Sequence, residues 1–162
     1  MEDFGSLALR RLLEAMPAAV HGTHAQVGDA TALVRAEDIV PVMRFLRDTQ
    51  GLEFDMLTDL TCVDHFGETP RFEMVYHLYS VAKNHRLRVK ARVPEEKAHI
   101  DTLIPVWPAA NWLEREVWDM YGIRFHGHPD LRRLLLYEEF QGHPLRKDYP
   151  KEKRQPLVGP GN

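Results

Sequence analysis

Cysteine is nearly absent: Cys62 is the only one in 162 residues. That excludes an intrachain disulfide and any all-cysteine zinc or iron–sulfur site. Cys62 sits in the apolar stretch 57–63 and reads as small buried filler rather than a nucleophile. No apolar run approaches the ~20 residues that a membrane-spanning helix needs. A charged start followed by an apolar core and a cleavage site is missing, as is an Arg- and Ser-rich leader, so no export or organelle address is read. The expectation is a reducing cytoplasm. Gly-x-Gly-x-x-Gly, Walker-type and Gly-x-Ser-x-Gly patterns are lacking, which leaves nucleotide binding and serine hydrolysis without a motif. His-Glu-x-x-His and Cys-x-x-Cys are lacking too. A formal net charge of −3 does not suggest nucleic acid as a partner.

What remains is ample for one domain: 162 residues, 44% of them apolar and 28% charged. Leu7, Leu9, Leu12, Leu13 and Met16 give a first amphipathic helix that stops at Pro17. Short apolar runs at 18–21, 25–27 and 31–35 read as strands, with Gly28-Asp29 as a hairpin turn. Glu37 and Asp38 open a second helix over 36–49, with Pro41 early enough to be tolerated and Gly51 at its end. Residues 52–63 read as a strand interrupted at Thr58-Asp59, and 71–81 as another. In 87–93 apolar Leu87, Val89, Ala91 and Val93 alternate with Arg88, Lys90 and Arg92, a half-buried strand joined to its predecessor through Lys83-Asn84-His85. The basic row, with Arg86, lacks interleaved aromatics and reads as a solvated sheet face rather than a nucleic-acid surface. His65 and His77 fit no catalytic motif. Pro94-Glu95-Glu96 opens a short helix to about Leu103. The sum is a two-layer α+β domain with a mixed, largely antiparallel sheet packed by helices.

The densest chemistry lies in 111–133, Asn-Trp-Leu-Glu-Arg-Glu-Val-Trp-Asp-Met-Tyr-Gly-Ile-Arg-Phe-His-Gly-His-Pro-Asp-Leu-Arg-Arg, and in 141–150, Gln-Gly-His-Pro-Leu-Arg-Lys-Asp-Tyr-Pro. Asn111 reads as an N-cap with Glu114 closing a capping box, and Gly122 as the left-handed residue past the end. The helix between has an apolar face (Leu113, Val117, Met120, Tyr121) and a second face of Trp112, Arg115, Glu116 and Asp119. Glu116, Asp119 and His128 would be the ligands of a carboxylate–histidine metalloenzyme. The competing reading pairs Arg115 with Asp119 and sets Arg124, Arg132 or Arg133 on the acids, and the missing ligand motif favours it. Between Arg146 and Arg154 stand five cations and two anions, with Pro144, Pro150, Pro156 and Pro160 in and around the run forbidding a regular helix. Leu145 and Tyr149 are anchors that a merely solubilising tail would not need. The expected organisation is a domain over 1–128 and an extended partner-binding arm over 129–162.

These two blocks resemble the signature and the following Gly-His-Pro-Leu-Arg-Lys-Asp-Tyr-Pro segment of the C subunit of the proton-pumping NADH:quinone oxidoreductase, bacterial complex I. Residues 59–64, the strands around 71–79 and 86–93, and Pro105-Val-Trp-Pro-Ala-Ala-Asn-Trp112 fall in the matching order, so the similarity spans about 35–150. It is to the unfused form, without a continuation resembling the D subunit. The resemblance implies a hydrophilic accessory subunit of the peripheral arm, on the cytoplasmic side of the cell membrane, with no catalytic residue, cofactor or metal of its own. FMN and iron–sulfur clusters would belong to partner subunits, which carry electrons from NADH to quinone as protons are translocated. It implies packing against the D subunit and the iron–sulfur subunits through Glu114, Arg115, Glu116, Asp119, His128, Pro129, Asp130, Arg132 and Arg133. The arm would anchor by His143, Pro144, Leu145, Arg146, Lys147, Asp148 and Tyr149. Relatives in membrane-bound hydrogenase-type complexes make such a complex the alternative setting.

Overall fold

A computed structural model describes residues 4–156, with side chains from residue 7 onward. The ends of the expected arm, Pro160 included, lie outside the described residues. Helix α1 (Phe4–Ala15) turns Ala8, Leu9 and Leu12 inward, whereas Leu13 remains 39% exposed. Helix α2 (Ile39–Asp48) buries Ile39, Val42, Met43 and Leu46, the i, i+3, i+4, i+7 stripe of a docked helix. Pro41 stands in its first turn, where no intrahelical N–H is lost.

Five strands form the main sheet: β1 (Val20–His24), β2 (Thr31–Val34), β3 (Met56–Asp64), β4 (Phe72–Ser80) and β5 (His85–Val93). Their spatial order is β1-β2-β5-β4-β3, antiparallel except for the β2–β5 pair. The alternation in β5 holds: Leu87, Val89, Ala91 and Val93 are at most 2% exposed. They meet Phe72, Met74, Tyr76 and Leu78 of β4 in one core with α1 and α2. Burying a side chain of this size stabilises by ~1.5–3 kcal/mol before entropy is counted. The interruption expected at Thr58-Asp59 is a register shift between Leu57 and Asp59 in the β3–β4 ladder. On the outer face Arg88 bonds Asp29, Lys90 bonds Glu73 and Arg92 bonds Glu68, so these three cations are neutralised in place, while Arg86 lies over the Tyr79 ring.

Three expectations fail for tertiary reasons. Residues 25–27 are not a strand but lead into a 3-10 turn, Gln26–Gly28. Residues 52–55 belong to the α2–β3 connection, where Phe54 N–H returns to the Leu46 carbonyl. Residues 94–103 hold only a 3-10 turn, Glu95–Lys97, followed by strand β6 (His99–Asp101), paired in parallel with β7 (Arg124–His126). Ile100 and Phe125, both under 5% exposed, stand opposite each other in that ladder and belong to the core. Helix α3 (Ala110–Tyr121) lies against β3 and presents the signature. From residue 129 to 156 the chain has neither helix nor strand.

Candidate functional site: the signature helix and its arm

Helix α3 begins at Ala110, so Asn111 is inside it and no side chain caps its start. Glu114 consequently does not close a capping box. Its side chain is fully buried and accepts the Thr102 hydroxyl at 2.6 Å and the Leu103 N–H at 2.7 Å, tying α3 to the strand–helix connection. Burial outweighs both bonds and lifts its carboxyl to about 7. Tyr76, also fully buried, has its phenol pushed well above the ordinary value by burial and by Glu114.

One turn on, Asp119 organises the first part of the arm. Its Oδ2 accepts the successive N–H groups of Leu134, Leu135 and Leu136 at 3.1, 2.8 and 3.0 Å, while Arg133 donates to Oδ1 at 2.7 Å. Backbone wrapped this way is an anion nest, filled here by the chain's own carboxylate. Burial alone would raise the Asp119 carboxyl; these bonds outweigh it and hold the group below the ordinary range. Arg133 is further held between the Trp118 and Phe140 rings and donates to the Phe140 and Gly142 carbonyls. Arg115 does not pair with Asp119. It donates to the Arg132 and Arg133 carbonyls at 3.1 and 2.8 Å, beneath the Trp112 ring.

The second motif closes the end of the helix. An α-helix leaves its last carbonyls without intrahelical donors. Here Trp118 O receives Gly122 N–H, Asp119 O the His143 Nδ1–H, Met120 O the Leu145 N–H and Tyr121 O the Arg146 Nε–H. Arg146 also brings a cation to the negative end of the helix dipole. Gly122 has φ 77°, and a Cβ there would lie 2.6 Å from the His143 ring. Burial is the chief cause that lowers the basicity of His143 and so favours its neutral form. Beyond it, Asp148 meets Arg71 at 2.7 and 3.0 Å, and the Lys147 N–H meets Asp64 at 2.8 Å. Hydrogen bonds from Arg71 keep the Asp64 and Asp148 carboxyls below their ordinary range.

The residues expected at an interface therefore divide. Glu114, Arg115, Asp119, Arg133, His143, Arg146 and Asp148 are engaged within the chain. Glu116 is exposed and, among the described residues, meets no arginine, contrary to expectation. His128 accepts the Asp130 N–H on Nδ1 and donates from Nε2 to the Asn111 carbonyl, and Asp130 pairs with Arg132 at 3.0 Å on the surface. Pro129, Leu145 and Lys147 face outward, Pro144 is half-buried, and Tyr149 stacks on Phe140. Glu116, Asp119 and His128 are not assembled as a ligand set; among the described residues no cluster of three or more His, Cys, Asp or Glu side chains could hold a metal ion. Cys62 is buried, its thiol pushed up to about 12 by burial and Asp64. His65 and His77, which fit no catalytic motif, stand apart from this site: His65 lies near Glu68 and Glu73, and the neutral form of His77 is favoured by burial. Sequence reasoning missed Asp64, Arg71, Glu95 and Thr102, for which no local pattern gives a signal.

No described helix is long and apolar enough to cross a membrane. Residues 32–155 match the family described as "Respiratory-chain NADH dehydrogenase, 30 Kd subunit". The chain is 48% identical over 157 residues to the NADH-quinone oxidoreductase C subunit 2 of Rhizobium meliloti, covering 94% of this chain and 86% of the relative. It is 48% identical over 155 residues to the C subunit of the Geobacter metallireducens enzyme, covering 95% and 91%. Among solved structures it is similar to a trypsin-resistant fragment of Nqo5, with 31% identity, a TM-score of 0.67 and coverage of 76% and 99%. A chain from the structure of a membrane-bound sulfane sulfur reductase, an archaeal respiratory membrane complex, aligns at 25% identity and a TM-score of 0.78 over 91% and 86%. The family match and these identities place the chain in the C-subunit family of NADH-quinone oxidoreductase, the respiratory-chain NADH dehydrogenase of complex I.

Proposed function

We propose that this chain is a non-catalytic, hydrophilic accessory subunit of the peripheral arm that supports assembly of the quinone-reducing module beside the D subunit and the iron–sulfur subunits. It works on the cytoplasmic face of the cell membrane and touches that membrane only through the complex. Electron transfer from NADH through FMN and iron–sulfur clusters to quinone, with its coupled proton translocation, belongs to the partners. One observation carries this reading. Along α3 and the arm the buried charged groups bond inside the chain, while Trp112, Leu135 and Leu145 stay 60%, 63% and 52% exposed on the same segments. Polar groups set the shape and apolar ones are left for a neighbour. Glu114, whose proton affinity is raised as in many catalytic acids, is fully buried and bonded to Thr102 and Leu103, which supports a structural role for it.

Affinity purification of the tagged chain from its native membranes tests this. Co-recovery of a flavin- and cluster-bearing assembly that oxidises NADH is expected, and recovery of the chain alone would overturn the reading. A second setting is a membrane-bound hydrogenase-type complex fed by another donor; what supports keeping it is that a chain from another respiratory membrane complex shares this fold. Co-purification with a hydrogenase-like large subunit in place of the NADH-oxidising one would select it.

A further inference from the structure

The arm has no regular structure, yet its course is held, and the means of holding it centre on one side chain. Arg71, immediately before β4, is 4% exposed and uses all five guanidinium N–H donors. Two go to Asp64 at 2.8 Å each, two to Asp148 at 2.7 and 3.0 Å, and one to Glu95 at 2.7 Å. Its Cζ lies 4.8 Å from the centre of the Phe66 ring and 5.0 Å from that of Phe72. Asp64 in turn takes the backbone N–H of Lys147. Asp64, Arg71 and Glu95 come from the domain and Asp148 from the arm, so the fork is saturated only while the arm is docked.

We propose that Arg71, Asp64 and Asp148, with Glu95, are a latch that shapes residues 143–149 on the chain before any partner is met, making Arg71 a positioning residue for the arm. The arm does not fold on contact; it is presented already folded. The latch stands on this chain's geometry alone. What it presents rests on the accessory-subunit reading: the outward side carries Leu145, 52% exposed, and Lys147 in a run of five cations and two anions. That fits a partner protein surface with acidic groups around an apolar depression. Loss of the latch would weaken such binding by the fraction of chains left undocked.

Hydrogen exchange on the isolated full-length chain is the test, because it needs no partner. Leu145 and Lys147 amides, bonded to Met120 O and Asp64, are expected to be protected in the wild type. Asp148→Asn lowers that protection roughly tenfold or more, the scale of losing a charge-assisted hydrogen bond, with β4 and β5 amides unchanged. Arg71→Lys, which keeps the charge and loses the planar fork, gives the same local drop; whichever variant leaves β4 and β5 protected decides. Exchange of both amides at unstructured-chain rates in the wild type, or unchanged protection in that variant, overturns the proposal. Either failure leaves the accessory role to the co-purification result, and a chain recovered alone leaves the latch standing.

Discussion

Gly122 answers two requirements at once, a φ of 77° and the approach of the His143 ring to where a Cβ would stand. Gly122→Ala is expected to cost about 1–2 kcal/mol for the left-handed backbone alone, and more because His143 must leave its carbonyl; urea denaturation reads the difference. Gly122 was legible as a helix terminator, since that signal is local. Glu114 was not: three residues after an asparagine it imitates a capping box, and only the fold brings Thr102 and Leu103 onto it. Its raised carboxyl makes a signed forecast. Between the ordinary 4.5 and about 7 the folded chain holds a proton that the unfolded chain releases, so this group's contribution falls as pH rises through that window. Glu114→Gln removes the effect. The variant should gain on the wild type from pH 4.5 upward, levelling near 7 at on the order of 3 kcal/mol. His143, whose lowered basicity acts oppositely by making acidification destabilising, cancels in the comparison. Parallel stability curves for the two proteins would sink this account of Glu114.

At the scale of elements, α3 is completed by residues that follow it by one to two dozen positions. Asp119 fixes the first stretch by one ion pair and three backbone bonds. Asp119→Ala leaves Arg133, whose side chain is only 12% exposed, without its carboxylate, and a loss of about 3–5 kcal/mol is expected for breaking such a pair. Calorimetry checks it, and a loss under about 1 kcal/mol would mean that the nest is incidental. The long elements were readable from local signals: the apolar face of α1, the acids that open α2 and the glycine past its end, the alternation of β5. Strands β6 and β7 are three residues each, too short for a period, and their pairing is decided by Ile100 meeting Phe125 across the chain.

For the whole molecule, the arm was legible in character and not in course. Prolines and charge exclude a helix there, but the partners of Asp148 and Lys147 stand 77 and 83 residues earlier, and no local pattern reports such a distance. Its two parts have different expected weights. Removing residues 150–162 deletes exposed contacts such as those between Gln155 and Gln141, and stability should change by no more than about 0.5 kcal/mol. Removing 142–162 uncaps the Asp119, Met120 and Tyr121 carbonyls and leaves Arg71 short of Asp148. That should cost about 2–4 kcal/mol, three capping bonds and one charge-assisted pair at about 0.5–1 kcal/mol each. Urea midpoints of the two truncations against the full chain make the comparison, with equal slopes required so that the difference reports stability. If the longer truncation were as stable as the shorter, residues 142–149 would contribute nothing to the domain, and the capping of α3 by the second motif would be a contact without energetic consequence.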